Sequence, residues 1–275
     1  MKKTTKTCVL GKKSNCMLPS STKQNYKSAE AGVAYLGLCV ADEADCIDWL
    51  KGPVRNRAYD AEEVAALNDF MRVEGFDDTA LHAALMAPDE QLSENDIGEA
   101  MAELALQSQL QAIWPTNRRR DMRSVRASLP GADIVGFIPS DDGGYRFLFA
   151  EVKTSSDLKV PPAVMYGNKG LEYQLYTLAT DWRVLRRLLS YTYSRVRETS
   201  LMPVWREAFK RLANEFPTGA ELVGVLVRDT TPQAKDVAHH AGALSGKLPN
   251  VDCVSLLALY ICVPAKNWSL HCTPL

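Results

Sequence analysis

A chain of 275 residues, 46% of them hydrophobic and 24% charged, is long enough to bury its own core and excludes a disordered, collagen-like or coiled-coil protein. Its net charge of −1 says little, but the charge is uneven: residues 1–29 hold seven lysines and no acid, leaving −8 on the remainder. No run of about 18 apolar residues follows, and the lysine-rich start lacks the apolar core of a signal peptide, so the chain reads as neither membrane-spanning nor secreted.

Residues 1–28 read as a basic, flexible head compatible with nucleic-acid contact. Residues 29–92 read as an accessory, mostly helical segment. Within it, Gly32 to Val40 is a buried strand or a short apolar helix, and Asp42 to Leu50 is an acidic helical turn ended by Gly52-Pro53. Helical spacing of Val64, Leu67, Phe70 and Met71 predicts a helix over 61–73. Asp77-Asp78 is read as the cap of a second one, over 79–86.

Residues 93–275 carry the stronger signals. Ser93 and Asp96 open a helix with Ile97, Met101, Leu104 and Ala105 on one stripe, and Glu99 and Glu103 share a face beside it. The following connector, NRRRDMRSVR, holds Arg118, Arg119, Arg120, Arg123 and Arg126, whose forked guanidiniums suit phosphate oxygens. Two β-rich runs, 134–138 and 145–152, then flank the polar turn Ser140-Asp141-Asp142-Gly143-Gly144, as in a hairpin. Beyond them, a helix is predicted from Leu171 through Leu189 and another around Trp205, Phe209 and Leu212. Buried strands over 221–228 and 251–263 enclose a helix over 232–244.

Asp133 begins the first run of the hairpin, and Glu151 and Lys153 close the second. Side chains alternate along a strand, so Glu151 and Lys153 project from one face while Val152 points the other way. An aspartate, a glutamate and a lysine thus converge at one end of the hairpin. Two carboxylates on a rigid edge make a hard oxygen site for Mg²⁺ or Mn²⁺, and a lysine beside it can orient water and steady charge on a phosphate.

Asp133, then Glu151, Val152 and Lys153 on the next strand, resembles the PD-(D/E)XK nuclease superfamily; Ala132 stands where the family often has Pro. That resemblance implies an α/β fold with a mixed central sheet flanked by helices, a restriction-endonuclease-like core, here with an amino-terminal accessory segment. It also implies a metal held by Asp133 and Glu151, with a first-helix glutamate completing the acidic cluster; Glu99 is the first choice and Glu103 the substitute. The Gln-x-x-x-Tyr element of recombination-type members is not matched, and Gln174 is only a weak candidate. The runs IGEAMAELAL, GADIVGF, AEVKTSSD and LVGVLVRDTTPQ further resemble the nuclease component of Hachiman-type antiphage systems. This implies a bacterial defence effector that cuts DNA and works with a helicase partner. A catalytically idle DNA-binding or assembly module, and an α/β protein whose hairpin is only core, stay open as alternatives.

Seven scattered cysteines without a C-x-x-C pair, and four histidines without zinc spacing, read as apolar fillers in a reducing, cytoplasmic protein.

Overall fold

Five apolar runs and one polar, exposed edge strand pair into one sheet, whose strand order is β1-β2-β6-β5-β4-β3. The computed structural model describes residues 17–86, 91–117, 131–216, 218–248, 250 and 252–273. Strands β1 (Thr22–Glu30) and β2 (Val33–Val40) form an antiparallel hairpin, and β2 runs parallel to β6 (Val254–Ile261). Next come β5 (Ala220–Arg228), parallel to β6, and β4 (Tyr145–Ser155), parallel to β5. At the far edge β3 (Ile134–Pro139) pairs antiparallel with β4. The expected mixed sheet flanked by helices is therefore observed.

The central strands are apolar on both faces, as parallel strands covered on both sides must be. One face of β4, carrying Leu148, Ala150 and Val152, packs in a core with helix α5 (Glu94–Leu110). The opposite face, carrying Phe147 and Phe149, packs in a second core. That core includes α6 (Leu171–Thr180), α7 (Trp182–Val196), α8 (Met202–Glu215) and α9 (Lys235–Lys247). Helix α5 begins as its sequence predicts: Asp96 N–H donates to the Ser93 hydroxyl, and the Ser93 N–H donates back to Asp96 Oδ2 at 2.9 Å. Such a capping box is worth about 1 kcal/mol.

Several local expectations are corrected. The run at 33–40 is a strand, because β6, distant in sequence, supplies its hydrogen bonds. Residues 22–28 of the expected head form most of edge strand β1, so the sheet takes strands from the amino-terminal side of residue 93; residues 1–16 lie outside the described part of the chain. Gly52-Pro53 does not end the first helix. After α1 (Glu43–Trp49) the chain makes a π-type turn over Leu50–Val54, with Pro53 inside it, and runs on into α2 (Arg55–Ala58). A widened turn tolerates the missing N–H of proline.

Helix α3 (Ala61–Val73) matches its expected limits, whereas α4 (Ala80–Met86) is capped by the Thr79 hydroxyl, which accepts the His82 N–H, and not by Asp77 or Asp78. The single helix expected from 171 through 189 is two. Asp181 leaves helical geometry (φ −95°, ψ 102°) and its side chain accepts the Arg183 N–H, ending α6 and capping α7. The chain closes with α10 (Trp268–Cys272).

Candidate active site

The β3–β4 register decides which acids meet. Ile134 pairs with Ala150, so Asp133, one residue earlier, stands across from Glu151, one residue later. The backbone agrees: Asp133 N–H donates to Ala150 O at 3.1 Å. The Asp133 side chain turns toward β4, where Oδ2 accepts the Val152 N–H at 2.8 Å. Lys153 Nζ donates to Glu151 Oε1 at 2.8 Å, a contact allowed because residues two apart on a strand share a face. Asp133, Glu151 and Lys153 are thus brought together as the sequence predicts.

Glu151 is only 2% exposed. On its other flank stands Gly224 of β5, where a Cβ would lie 2.7 Å from side-chain atoms of both Leu175 and Leu256. Burial first, then the Asp133 charge and a side-chain hydrogen bond between the two carboxyls, raise the Glu151 carboxyl against the downward pull of Lys153, to about 8 in all. A buried glutamate held protonated beside a second carboxyl is a site short of positive charge.

Helix α5 approaches the other face of β4. At Gly98 an added Cβ would lie 2.1 Å from Thr154 Oγ1, so glycine is what allows the first turns of α5 to touch the strand beside Lys153. Glu99 is buried on that helix. Because α5 packs with Leu148, Ala150 and Val152, it covers the face opposite Glu151 and Lys153. Among the described residues no group of three or more His, Cys, Asp or Glu is arranged to hold a metal ion, so Glu99 is not gathered with the pair. Glu103 is engaged elsewhere: it is buried and forms an ion pair with half-buried Arg57, whose Nη2 also donates to Thr116 O. That Glu99 and Glu103 share a helix face is readable in sequence, but which face of the sheet the helix covers is not.

Gln174 lies on α6, beside Leu171 and Leu175, which cover Gly224, and its Oε1 is buried with no hydrogen-bond partner among the described residues. Sequence reasoning missed Arg228 altogether. This residue ends β5, is buried, pairs with Asp236 at 2.6 Å, and donates to the carbonyls of Asp157 and Lys159. It thereby ties down the loop that leaves Lys153; its signal was a lone arginine closing an apolar strand. Arg118, Arg119, Arg120, Arg123 and Arg126 lie outside the described residues.

The donor set suits a small hard cation. Mg²⁺ takes one or two carboxylates and completes its shell with water and phosphate oxygens, so Asp133 and Glu151 suffice without a third acid. A cation there also answers the charge deficit that keeps Glu151 protonated.

A family model described as HamA matches residues 18–165, which is 148 of the 275 residues. The match spans the β1–β2 hairpin, α5 and the whole β3–β4 hairpin with Asp133, Glu151 and Lys153. A search of curated proteins returned no match.

Proposed function

The chain belongs to the HamA family and is a component of Hachiman-type antiphage defence; from that premise we propose that it is a metal-dependent nuclease that hydrolyses phosphodiester bonds of DNA. The observation that carries this reading is the cross-strand pair Asp133 and Glu151 with Lys153 on the same face, inside the span matched to the family. Asp133 and Glu151 would hold Mg²⁺ or Mn²⁺, which when bound supplies Lewis-acid neutralisation at the scissile phosphate. Asp133 is aimed by the Val152 N–H, so its carboxylate is fixed in advance of binding. Lys153, held by Glu151 yet reaching solvent with part of its side chain, orients the attacking water through Nζ and neutralises charge gathering on the phosphate oxygens. Arg228 keeps the adjoining loop from moving away from that lysine.

A helicase partner is part of the same proposal. The hairpin of α3 and α4 supports it: Phe70 is 57% and Val73 78% exposed, and Met71 is the one buried residue of α3. A contiguous exposed apolar surface of this kind marks protein association. Its seven acids against one arginine over residues 60–86 disfavour DNA there. Among the described residues no helix is long and apolar enough to cross a membrane.

The test is cleavage of supercoiled plasmid with Mg²⁺, with and without the co-expressed helicase, and its arrest by EDTA. Cleavage lost in Glu151→Ala supports the proposal. No cleavage in either condition, with DNA binding intact, favours the second reading, an idle nuclease-fold module, which draws on the absence of a third acid among the described residues.

A further inference from the structure

Helices α7 and α8 leave a groove of about 520 Å³ between them that neither core fills. It is lined by Trp182, Leu185, Arg186, Leu189 and Tyr193 of α7 and by Trp205 of α8. The α7 positions recur every three or four residues, so they form one stripe along the helix. Trp182 is 62% exposed and packs against Phe216 with ring centroids 4.0 Å apart; Trp205 stacks on Phe209 at 5.0 Å and 10°. Trp182 and Tyr193 therefore present aromatic surface to solvent, while Trp205 is held partly buried between them and the core.

Their rim is basic. Residues 181–215 hold eight Arg or Lys and four Asp or Glu, a net of +4 in a chain of net −1. Arg183, Arg197 and Arg211 are paired with Asp181, Glu198 and Asp142. Arg186, Arg187, Arg206 and Lys210 are exposed and form no ion pair with a described residue. An aromatic floor with a cationic rim is the chemistry that binds a nucleic-acid strand with its bases unstacked: rings take base faces and arginines take phosphates. A double helix keeps its base faces covered and gains nothing from the floor.

The helix that lines the groove also reaches the segment before the acid pair. A Cβ on Gly131, which has φ +105°, would lie 2.4 Å from Val184 Cγ1, so the first turn of α7 rests against the segment leading to Asp133. Two residues, about 7 Å of extended chain, separate Gly131 from Asp133.

We propose that the α7–α8 groove is a binding site for a single strand of DNA, with bases on Trp182 and Tyr193 and phosphates on Arg186, which delivers that strand toward Asp133, Glu151 and Lys153. The delivery rests on the nuclease reading; the binding does not.

The test is fluorescence anisotropy of a labelled oligothymidine and of a duplex of equal length, titrated with the full chain in EDTA so that nothing is cut. The single strand is expected to bind more tightly than the duplex. Trp182→Ala and Tyr193→Ala each weaken it by about tenfold, the range for loss of one base stack, and Arg186→Gln lowers the salt slope by about 0.7. Both aromatic residues are exposed, and unchanged melting temperatures of the variants confirm that the fold survives. No binding of the single strand, equal binding of the duplex with the same dependence on Trp182, or unchanged affinity in all three variants overturns the proposal. So does loss of helicase association in those variants with DNA affinity intact, which reassigns the groove to the protein partner. Binding through Trp182 without any cleavage on adding Mg²⁺ and helicase leaves the groove standing and removes the nuclease reading.

Discussion

The Val152 N–H donates to Asp133 Oδ2 at 2.8 Å, so the carboxylate of one strand is anchored on the backbone of the strand that carries Glu151 and Lys153. The β3–β4 register sets two acids across from each other on antiparallel neighbours, where like charges are unfavourable. The protein tolerates the conflict by keeping Glu151 protonated near neutral pH.

That conflict has a pH signature in the metal-free protein. The Glu151 carboxyl lies at about 8 in the fold against 4.5 as its ordinary value. Below about 4.5 both folded and unfolded states hold the proton and the group contributes nothing; between 4.5 and 8 only the unfolded chain gives it up, so stability falls with rising pH and stays lost above 8. Glu151→Gln removes this loss. Urea midpoints in EDTA are expected to rise in the variant, relative to the parent, by more at pH 8.5 than at pH 5, and an equal change at both would refute the raised Glu151 carboxyl.

Lys153→Ala is expected to lower plasmid cleavage by roughly 10²-fold or more while leaving DNA affinity within a few-fold, the mark of a group that acts on the reacting phosphate rather than on binding. Lys153→Arg keeps the charge but cannot release a proton near neutral pH. Near-full cleavage by the arginine variant assigns Lys153 to charge stabilisation alone; parental rates in Lys153→Ala, with helicase present, would remove the site from this hairpin.

Glu103 is expected to behave as a structural acid. Removing one member of a largely buried ion pair costs about 3 kcal/mol, since Arg57 would keep its partial burial without its carboxylate. Chemical denaturation of Glu103→Gln should register that loss, with cleavage by the folded variant within a few-fold of the parent. A collapse of cleavage at unchanged stability would return Glu103 to the acidic cluster.

Gly98 and Thr154 are expected to be coupled. Gly98→Ala drives a methyl into Thr154 Oγ1 and should cost about 1–3 kcal/mol, partly offset by the better helix propensity of alanine. Thr154→Ala removes a hydroxyl oxygen that is buried without a hydrogen bond to any described residue, so alone it is nearly neutral. The double variant should regain most of the stability lost in Gly98→Ala, as read from unfolding midpoints; additive effects would contradict the close approach of α5 to β4.

The sequence by itself determined what depends on near neighbours. The alternation that puts Glu151 and Lys153 on one face, the hairpin around Gly143-Gly144 and the Ser93 cap of α5 are all contained in stretches of a few residues, where strand period, turn chemistry and capping act. Tertiary structure decided the rest. The run at 33–40 becomes a strand only because β6 lies beside it, in a part of the fold where Tyr26 and Tyr260, 234 positions apart, share a hydrogen bond. Glu99 and Glu103 read as equivalent on an isolated helix; Arg57, 46 residues from Glu103, separates them, and the choice of sheet face sets their helix opposite Glu151 and Lys153. Arg228 reads as a strand end until the loop after Lys153 folds over it. Each of these outcomes is set by burial and partnership between distant segments, energies that no local pattern in the chain encodes.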